Sequence, residues 1–222
     1  MLEAREHMID GQLLTNGVLH PGILAAMYAV PREHFMPTEL AGSAYVDEDI
    51  SLRRERFLIA PLALAKLLQL AEIEPDENVL DIGCATGYSV AVISQLAETV
   101  VGVEQDHELA SHARKLLSQQ KYLNEEIVTS AMTVGYATAA PYDAIILQGA
   151  VQHVPEELTT QLAEDGRMVG VRCLSLRPGR EKCGLGRAFV LKKREGRLHM
   201  HDEFDVSLPL LSGFERRQGF EF

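Results

Sequence analysis

Val79-Leu80-Asp81-Ile82-Gly83-Cys84-Ala85-Thr86-Gly87-Tyr88-Ser89, followed by Glu104 at the end of the next apolar run, decides the fold of this chain. Val79, Leu80 and Ile82 suit a short strand buried on both faces. Asp81, Gly83, Ala85 and Gly87 then make a small-residue turn ahead of a helical pattern that begins near Tyr88. Such a turn lets backbone amides and a helix N-terminus approach a ligand that bulkier side chains would hold off. Glu104 lies about 20 residues further on, where the second strand of a doubly wound sheet delivers an acid to ribose hydroxyls. The implied ligand is a nucleoside.

Spacing narrows the choice of nucleoside. A dinucleotide fingerprint requires Gly-x-Gly-x-x-Gly, and a phosphate loop ends in Gly-Lys-Ser/Thr. This turn reads Gly83-x-Ala85-x-Gly87 and ends Gly87-Tyr88-Ser89. Asp-x-Gly-x-x-x-Gly with a strand-end Glu resembles the motif of S-adenosylmethionine-dependent methyltransferases. In that family the first acid and the turn face the methionine part, and the later acid takes the ribose.

From Asn78 onward, strand and helix patterns alternate. Strands are expected at Val79–Ile82, Val100–Val103, Ile127–Thr129, Tyr142–Leu147 and Met168–Val171. Helices are expected at Tyr88–Leu96, His107–Gln119 and Pro155–Ala163. This order predicts an α/β fold with a doubly wound, mostly parallel sheet, helices on both faces, and the ligand beyond the carboxyl ends of the strands. Arg177-Pro178-Gly179-Arg180 reads as a loop, and Ala188–Lys193 and Leu198–Phe204 flank the turn Glu195-Gly196 as a terminal hairpin. Ahead of the sheet, Pro21–Val30 and Leu62–Ala71 carry helical periodicity, with a loop-like stretch from Pro31 to Ser51 between them. The expected organisation is a single domain over 1–222: an N-terminal helical cap (1–77), a cofactor-binding core (78–171), and a hairpin and tail (172–222).

Composition sets outer bounds. Hydrophobic residues make up 46% and charged residues 24%, which places the chain among ordinary globular proteins. No apolar run approaches the ~20 residues of a membrane span. The charged start Met1-Leu-Glu-Ala-Arg-Glu-His lacks a signal peptide's apolar block. Cys84, Cys173 and Cys183 show no metal-ligand spacing, so a cytoplasmic protein without a metal is expected. The net charge of −11 argues against nucleic acid as a partner. The basic runs Arg53-Arg54-Glu55-Arg56 and Lys192-Lys193-Arg194 read as solvated surface. Cys84 reads as a small filler, and Leu62, Leu64, Leu67, Leu68 and Leu70 as core. His153 is a candidate for lining the pocket, and His199 and His201 share one face of a solvated strand edge.

The N-terminal part adds a closer resemblance. Val30-Pro31-Arg32-Glu33-His34-Phe35, Ala44-Tyr45-Val46-Asp47-Glu48-Asp49-Ile50-Ser51-Leu52 and Ala60-Pro61 resemble protein-L-isoaspartate O-methyltransferases. Ala140-Pro141-Tyr142-Asp143-Ala144-Ile145 and Val154-Pro155 resemble the same family further on, in the same order. The resemblance implies S-adenosylmethionine as cofactor, a Rossmann-like methyltransferase sheet, and methylation of isoaspartyl carboxylates in damaged proteins, a repair reaction. Peptide or protein carboxylates are then the substrates. Tyr45, Asp47 and Asp49 lie in the cap, where they could touch a peptide backbone, and an ordinary polar loop explains them equally well. Expected cofactor contacts are Asp81, Gly83, Cys84, Ala85, Thr86, Gly87, Glu104 and Gln105, with Leu58, Ile59, Ala131, Gln148 and Gly149 close by.

Two positions depart from the family pattern. Ile59 stands where the family has the serine beside cofactor and substrate. Ser130-Ala131-Met132 replaces Gly-Asp-Gly, whose aspartate reaches the adenine amine. A carboxylate acceptor with a pKa near 4 is already ionised at neutral pH and needs no general base. Catalysis then rests on alignment, which neither change abolishes. Alternatives of other kinds stay open: a methyltransferase of this fold acting on a small-molecule acid or hydroxyl, and a non-catalytic cofactor-binding protein.

Overall fold

The computed structural model describes residues 1–53, 55–122, 124–176 and 183–216, and the loop expected at Arg177–Arg180 lies outside them. Its N-terminal part opens with α1 (Leu2–His7), which runs on through helical turns to Asn16 and buries Met8, Ile9 and Leu13. The reading above did not include this helix, because the six apolar residues of 2–16 are scattered among polar ones and only Met8, Ile9 and Leu13 are buried. Two further helices, α2 (Pro21–Ala29) and α3 (Pro61–Ala71), each begin on a proline, whose fixed φ suits a first helical turn. Between them lie short 3₁₀ turns at Arg32–Phe35 and Thr38–Ser43, then the hairpin β1 (Ile50–Arg53) and β2 (Arg56–Leu58).

The main sheet contains β3 (Asn78–Ile82), β4 (Thr99–Glu104), β5 (Glu125–Thr129), β6 (Tyr142–Val151), β7 (Leu162–Leu176), β8 (Cys183–Arg194) and β9 (Arg197–Asp205). Their order is β5-β4-β3-β6-β7-β8-β9, parallel from β5 through β7 and antiparallel thereafter. The fold is thus the expected doubly wound α/β sheet ending in a hairpin. Strand alternation divides its side chains into two cores. Val79, Val100, Ile146 and Val169 point to a core that also holds Met27, Phe35 and Leu68 from the N-terminal elements and Ala113 and Leu117 from α5 (His107–Gln120). Leu80, Val101, Ile145 and Met168 point to the other, completed by Met132, Leu158, Leu211 and Phe214. Short elements therefore cover this second face: α6 (Glu156–Thr159), the segment after Ser130, and the C-terminal segment beyond β9.

Several expected spans change: β7 and β8 run well beyond Met168–Val171 and Ala188–Lys193, and the helix from Tyr88 ends at Ile93. The helix expected at Pro155–Ala163 is only the four residues of α6, because β7 starts at Leu162 and pairs with Tyr142. Strand pairing overrides local helix preference here, and Asp165 takes a left-handed φ of 62° where the ladder is irregular. Similarly, β6 runs four residues past Leu147. The register shifts between Ile146 and Ala150, after which Ala150 and Val151 pair with Val171 and Arg172.

Opposite the carboxyl ends of the strands, Arg167 ties the sheet together. It donates to the carbonyls of Ala71, Glu72 and Asp143 and to both carboxylate oxygens of Glu77. On the other edge of the hairpin, β9 is almost wholly exposed and bears Arg197, His199, His201, Asp202, Glu203 and Asp205. Arg172–Asp202 and Arg187–Asp205 ion pairs cross its neighbourhood. No helix among the described residues is long and apolar enough to cross a membrane.

Candidate functional site

The turn after β3 is built as its composition dictates. Gly83 and Gly87 have φ of +84° and +91°, and Ala85 joins them in the left-handed region at 51°. At Gly87 a β-carbon would lie 3.2 Å from Ala113 and Leu117, so glycine lets α5 pack close to the turn. α4 (Tyr88–Ile93) then leads away, fully buried. Thr86 anchors the N-terminal elements to this point, its hydroxyl donating to the Phe35 carbonyl at 2.7 Å.

Asp81 ends up fully buried behind the turn. Gln148 Nε2 donates to Oδ1 at 2.6 Å, and the Ser89 hydroxyl donates to Oδ2 at 2.5 Å. Burial pushes its pKa up to about 6, against the opposing pull of those two bonds and of Arg56. The folded value exceeds the unfolded one, so the fold favours the protonated acid. That stability is present below about pH 4 and is lost as pH rises through 6, on the order of 3 kcal/mol. Asp81→Asn should therefore gain on the wild type by that amount between pH 4 and 7 in urea unfolding. A gap independent of pH would show that Asp81 titrates alike in both states.

Glu104 holds the surprise of the site. Arg56 Nε donates to its two oxygens at 3.1 and 3.2 Å, and Arg56 Nη2 donates to Oε2 at 2.7 Å. The same Nη2 donates to the Gly83 carbonyl at 2.8 Å. Backbone N–H groups of Ala85 and Asp106 complete the carboxylate's partners at 2.9 and 3.0 Å. Both side chains are buried. The basic run at Arg53–Arg56 is therefore not all solvated surface: Arg56 points inward to the acid expected to receive a ribose. A side chain is also packed over the turn, since a β-carbon on Gly83 would meet Leu211 at 2.9 Å, Arg56 at 3.0 Å and Met132 at 3.3 Å.

The turn borders a cavity of about 10 Å³, lined in part by Arg32, Leu58, Ile59, Gly83, Cys84, Ala85, Tyr88, Ser89 and Gln148. A pocket for a molecule of nucleoside size spans hundreds of Å³. The cavity unites Leu58, Ile59, Gly83, Cys84, Ala85 and Gln148 of the expected contacts. Asp81, Thr86, Gly87 and Glu104 stand directly behind it, each held by the bonds or packing given above. Gln105 and Ala131 are exposed, and Gly149 lies under the C-terminal segment, where a β-carbon would meet Leu211 at 2.8 Å. Burial pushes the Cys84 thiol well up, so it fills space and is no nucleophile. Arg32, Arg56 and Leu211 are the site residues that sequence reading missed.

Other candidates fall elsewhere. His153 bonds the Phe214 carbonyl through Nδ1 at 3.0 Å and, with Phe189, Leu191 and Met200, lines a separate concavity of about 780 Å³ away from the turn. Asp47 and Asp49 accept from the N–H groups of Leu62 and Ala60 at 3.1 and 3.0 Å, fixing the start of α3. Tyr45 receives the Arg5 guanidinium at 2.7 Å and donates to Glu33.

The fit to the cofactor that the motif implies follows from the donor set. Glu104 is a buried two-oxygen acceptor at a strand end, and Arg56 presents to it a pair of donors in the manner of a vicinal diol. Arg32 Nε and Nη1 and the Tyr88 hydroxyl have no partner among the described residues, leaving polar capacity at the other end of the cavity. The residues suit the cofactor once Arg56 and Leu211 move aside.

Comparison with known proteins covers the same region. The family model for protein-L-isoaspartate(D-aspartate) O-methyltransferase matches residues 3–176. A protein-L-isoaspartate O-methyltransferase of Methanoregula boonei is 35% identical over 167 residues, 75% of this chain and 77% of its own length. A second, from Shewanella sediminis, is 37% identical over 168 residues, 76% of this chain and 69% of its own. Among solved structures, a protein-L-isoaspartate O-methyltransferase superposes with a TM-score of 0.79 at 26% identity, over 94% of this chain and 66% of that one, so this chain spans just under two thirds of its length. A Plasmodium falciparum structure described as a complex with S-adenosyl-L-homocysteine gives 0.76 at 18% identity, over 92% and 96%, and shares the fold. With the Asp81–Gly87 turn and Glu104 at adjacent strand ends inside the matched region, the chain belongs to the protein-L-isoaspartate (D-aspartate) O-methyltransferase family.

Proposed function

We propose that this chain is an S-adenosylmethionine-dependent O-methyltransferase that esterifies the side-chain carboxylate of isoaspartyl residues in proteins or peptides. The observation that carries the reading is the turn from Asp81 to Gly87 with buried Glu104 beside it, within a region matched from end to end by that family. Glu104 would take the ribose hydroxyls, and the Gly83–Gly87 backbone would lie along the nucleoside. Bound S-adenosylmethionine supplies a methyl group on a sulfonium centre. The acceptor carboxylate is ionised at neutral pH, so the residues need only align it and keep water out. Leu58, Ile59 and Tyr88 form the apolar part of that wall. The free cysteines fit a reducing, cytoplasmic setting, and the chain over 1–222 acts as one domain, since one buried cluster takes in residues from Met8 to Leu208.

Incubation with labelled S-adenosylmethionine and an isoaspartyl peptide tests the proposal. Base-labile label on the isoaspartyl peptide, absent from its aspartyl counterpart, is expected. Bound cofactor without transfer would overturn the substrate class. Ile59→Ser restores the hydroxyl of the family pattern and should raise kcat/KM about fivefold, the worth of one positioning hydrogen bond near 1 kcal/mol. An unchanged kcat/KM would mean that the acceptor pocket differs at more than this residue.

A further inference from the structure

Arg32 carries a buried charge on which Asp49 acts electrostatically, yet two of its nitrogens are left without hydrogen bonds. It opens the 3₁₀ turn Arg32–Phe35 and is fully buried. Nη2 donates to the Ile59 carbonyl at 2.7 Å, and the guanidinium carbon lies 4.9 Å from the centroid of the Tyr88 ring. Nε and Nη1 make no hydrogen bond of good geometry among the described residues, and neither does the buried Tyr88 hydroxyl, although it lies within electrostatic reach of the guanidinium. All of these groups border the cavity at the turn, beside Ile59. Three orphaned polar atoms at one spot are exceptional, because buried polar groups are otherwise almost always satisfied.

The chemistry of the orphans selects their partner. A buried guanidinium with N–H groups free on Nε and Nη1 attracts a carboxylate through charge-assisted hydrogen bonds, and the phenol beside it adds another donor. Of the acids nearby, Asp49, which acts on Arg32 electrostatically, accepts from the Ala60 N–H, and Asp81 is held by Ser89 and Gln148. We propose that Arg32, with the Tyr88 hydroxyl, is the receptor for a ligand carboxylate next to the methyl-transfer point. The inference rests on the methyl-transfer reading and deepens it. Two carboxylates are available in that reaction: the amino-acid end of the cofactor and the acceptor itself. Either one would add a directly bonded anion to the buried charge, on the Ile59 side of the cavity.

Paired nucleosides separate the sources. S-adenosylhomocysteine carries the amino-acid carboxylate, whereas 5′-methylthioadenosine has the same nucleoside and thioether without it. Calorimetric titration of both is compared in wild type, Arg32→Met and Tyr88→Phe. If the cofactor carboxylate docks at Arg32, Arg32→Met weakens S-adenosylhomocysteine at least tenfold and Tyr88→Phe about threefold, with 5′-methylthioadenosine unchanged in both. If the acceptor docks there, both nucleosides keep their affinity, and KM for an isoaspartyl peptide rises at least tenfold with kcat little changed. Arg32→Lys keeps the charge on a single nitrogen and replaces Arg32→Met should the latter fail to fold; partial recovery is expected. Equal weakening of both nucleosides, or no change in any affinity or in KM, overturns the receptor, the former by marking Arg32 as structural and the latter by leaving its orphans to solvent alone. A wild-type chain that binds neither nucleoside overturns the methyl-transfer reading itself, and this proposal with it.

Discussion

Arg56→Ala is expected to unfold at a temperature on the order of 10 °C below the wild type, and to recover much of that loss in S-adenosylhomocysteine. The first half follows from burial. Arg56 makes three contacts to Glu104 and one to the Gly83 carbonyl, with both side chains out of water. Removing one partner of such a pair strands a buried charge, which costs about 3–5 kcal/mol. The second half follows from what Glu104 keeps: the N–H groups of Ala85 and Asp106 still aim its oxygens at the space the guanidinium vacates. Ribose hydroxyls could then enter without competition, and a ligand at 100 times its Kd returns about 2.7 kcal/mol. Thermal unfolding with and without S-adenosylhomocysteine reads both effects. A ligand-induced shift no larger in the variant than in the wild type would show that Arg56 does not compete for the acid.

Arg167→Ala is expected to cost about 3–5 kcal/mol of stability and to leave nucleoside affinity unchanged. The guanidinium joins the end of α3, through Ala71 and Glu72, to Glu77 before β3 and to Asp143 at the start of β6. Its loss leaves several carbonyls and a partly buried carboxylate without their donor. All of this lies at the amino ends of the parallel strands, a strand length away from the turn at their carboxyl ends. Urea unfolding and calorimetry on the same preparation test the two halves, and a weakened nucleoside Kd would mean that the two ends of the sheet are coupled.

How much of this was visible in the sequence follows from the range over which each residue finds its partner. The turn, its two acids and the strands β3 to β6 were legible because their apolar periodicity and small residues are local signals. The terminal hairpin was legible from Glu195-Gly196, whose positive φ values of 51° and 69° are those a two-residue turn demands. Arg56 was not legible: its partner lies 48 residues on, and a basic run looks the same whether one member turns inward or all face water. Leu211 closes over Gly83 and Gly149 from the far end of the chain, where no local pattern announces a contact. Arg32 was quoted within the family-like stretch, yet the two nitrogens it leaves without hydrogen bonds are a property of packing alone. The shortening of α6 has a similar origin, since the pairing of Leu162 with Tyr142 is non-local.

The exposed strand β9 has a consequence for how the molecule behaves in a crowd. A lateral strand offers its outer backbone groups to any foreign strand of matching length, which is the usual seed of stacking between copies. Arg197, Asp202, Glu203 and Asp205 make such docking desolvate charge at four of the strand's nine residues. The tendency of this rim to stay unpaired is written in its side chains, and should fade as those charges are neutralised.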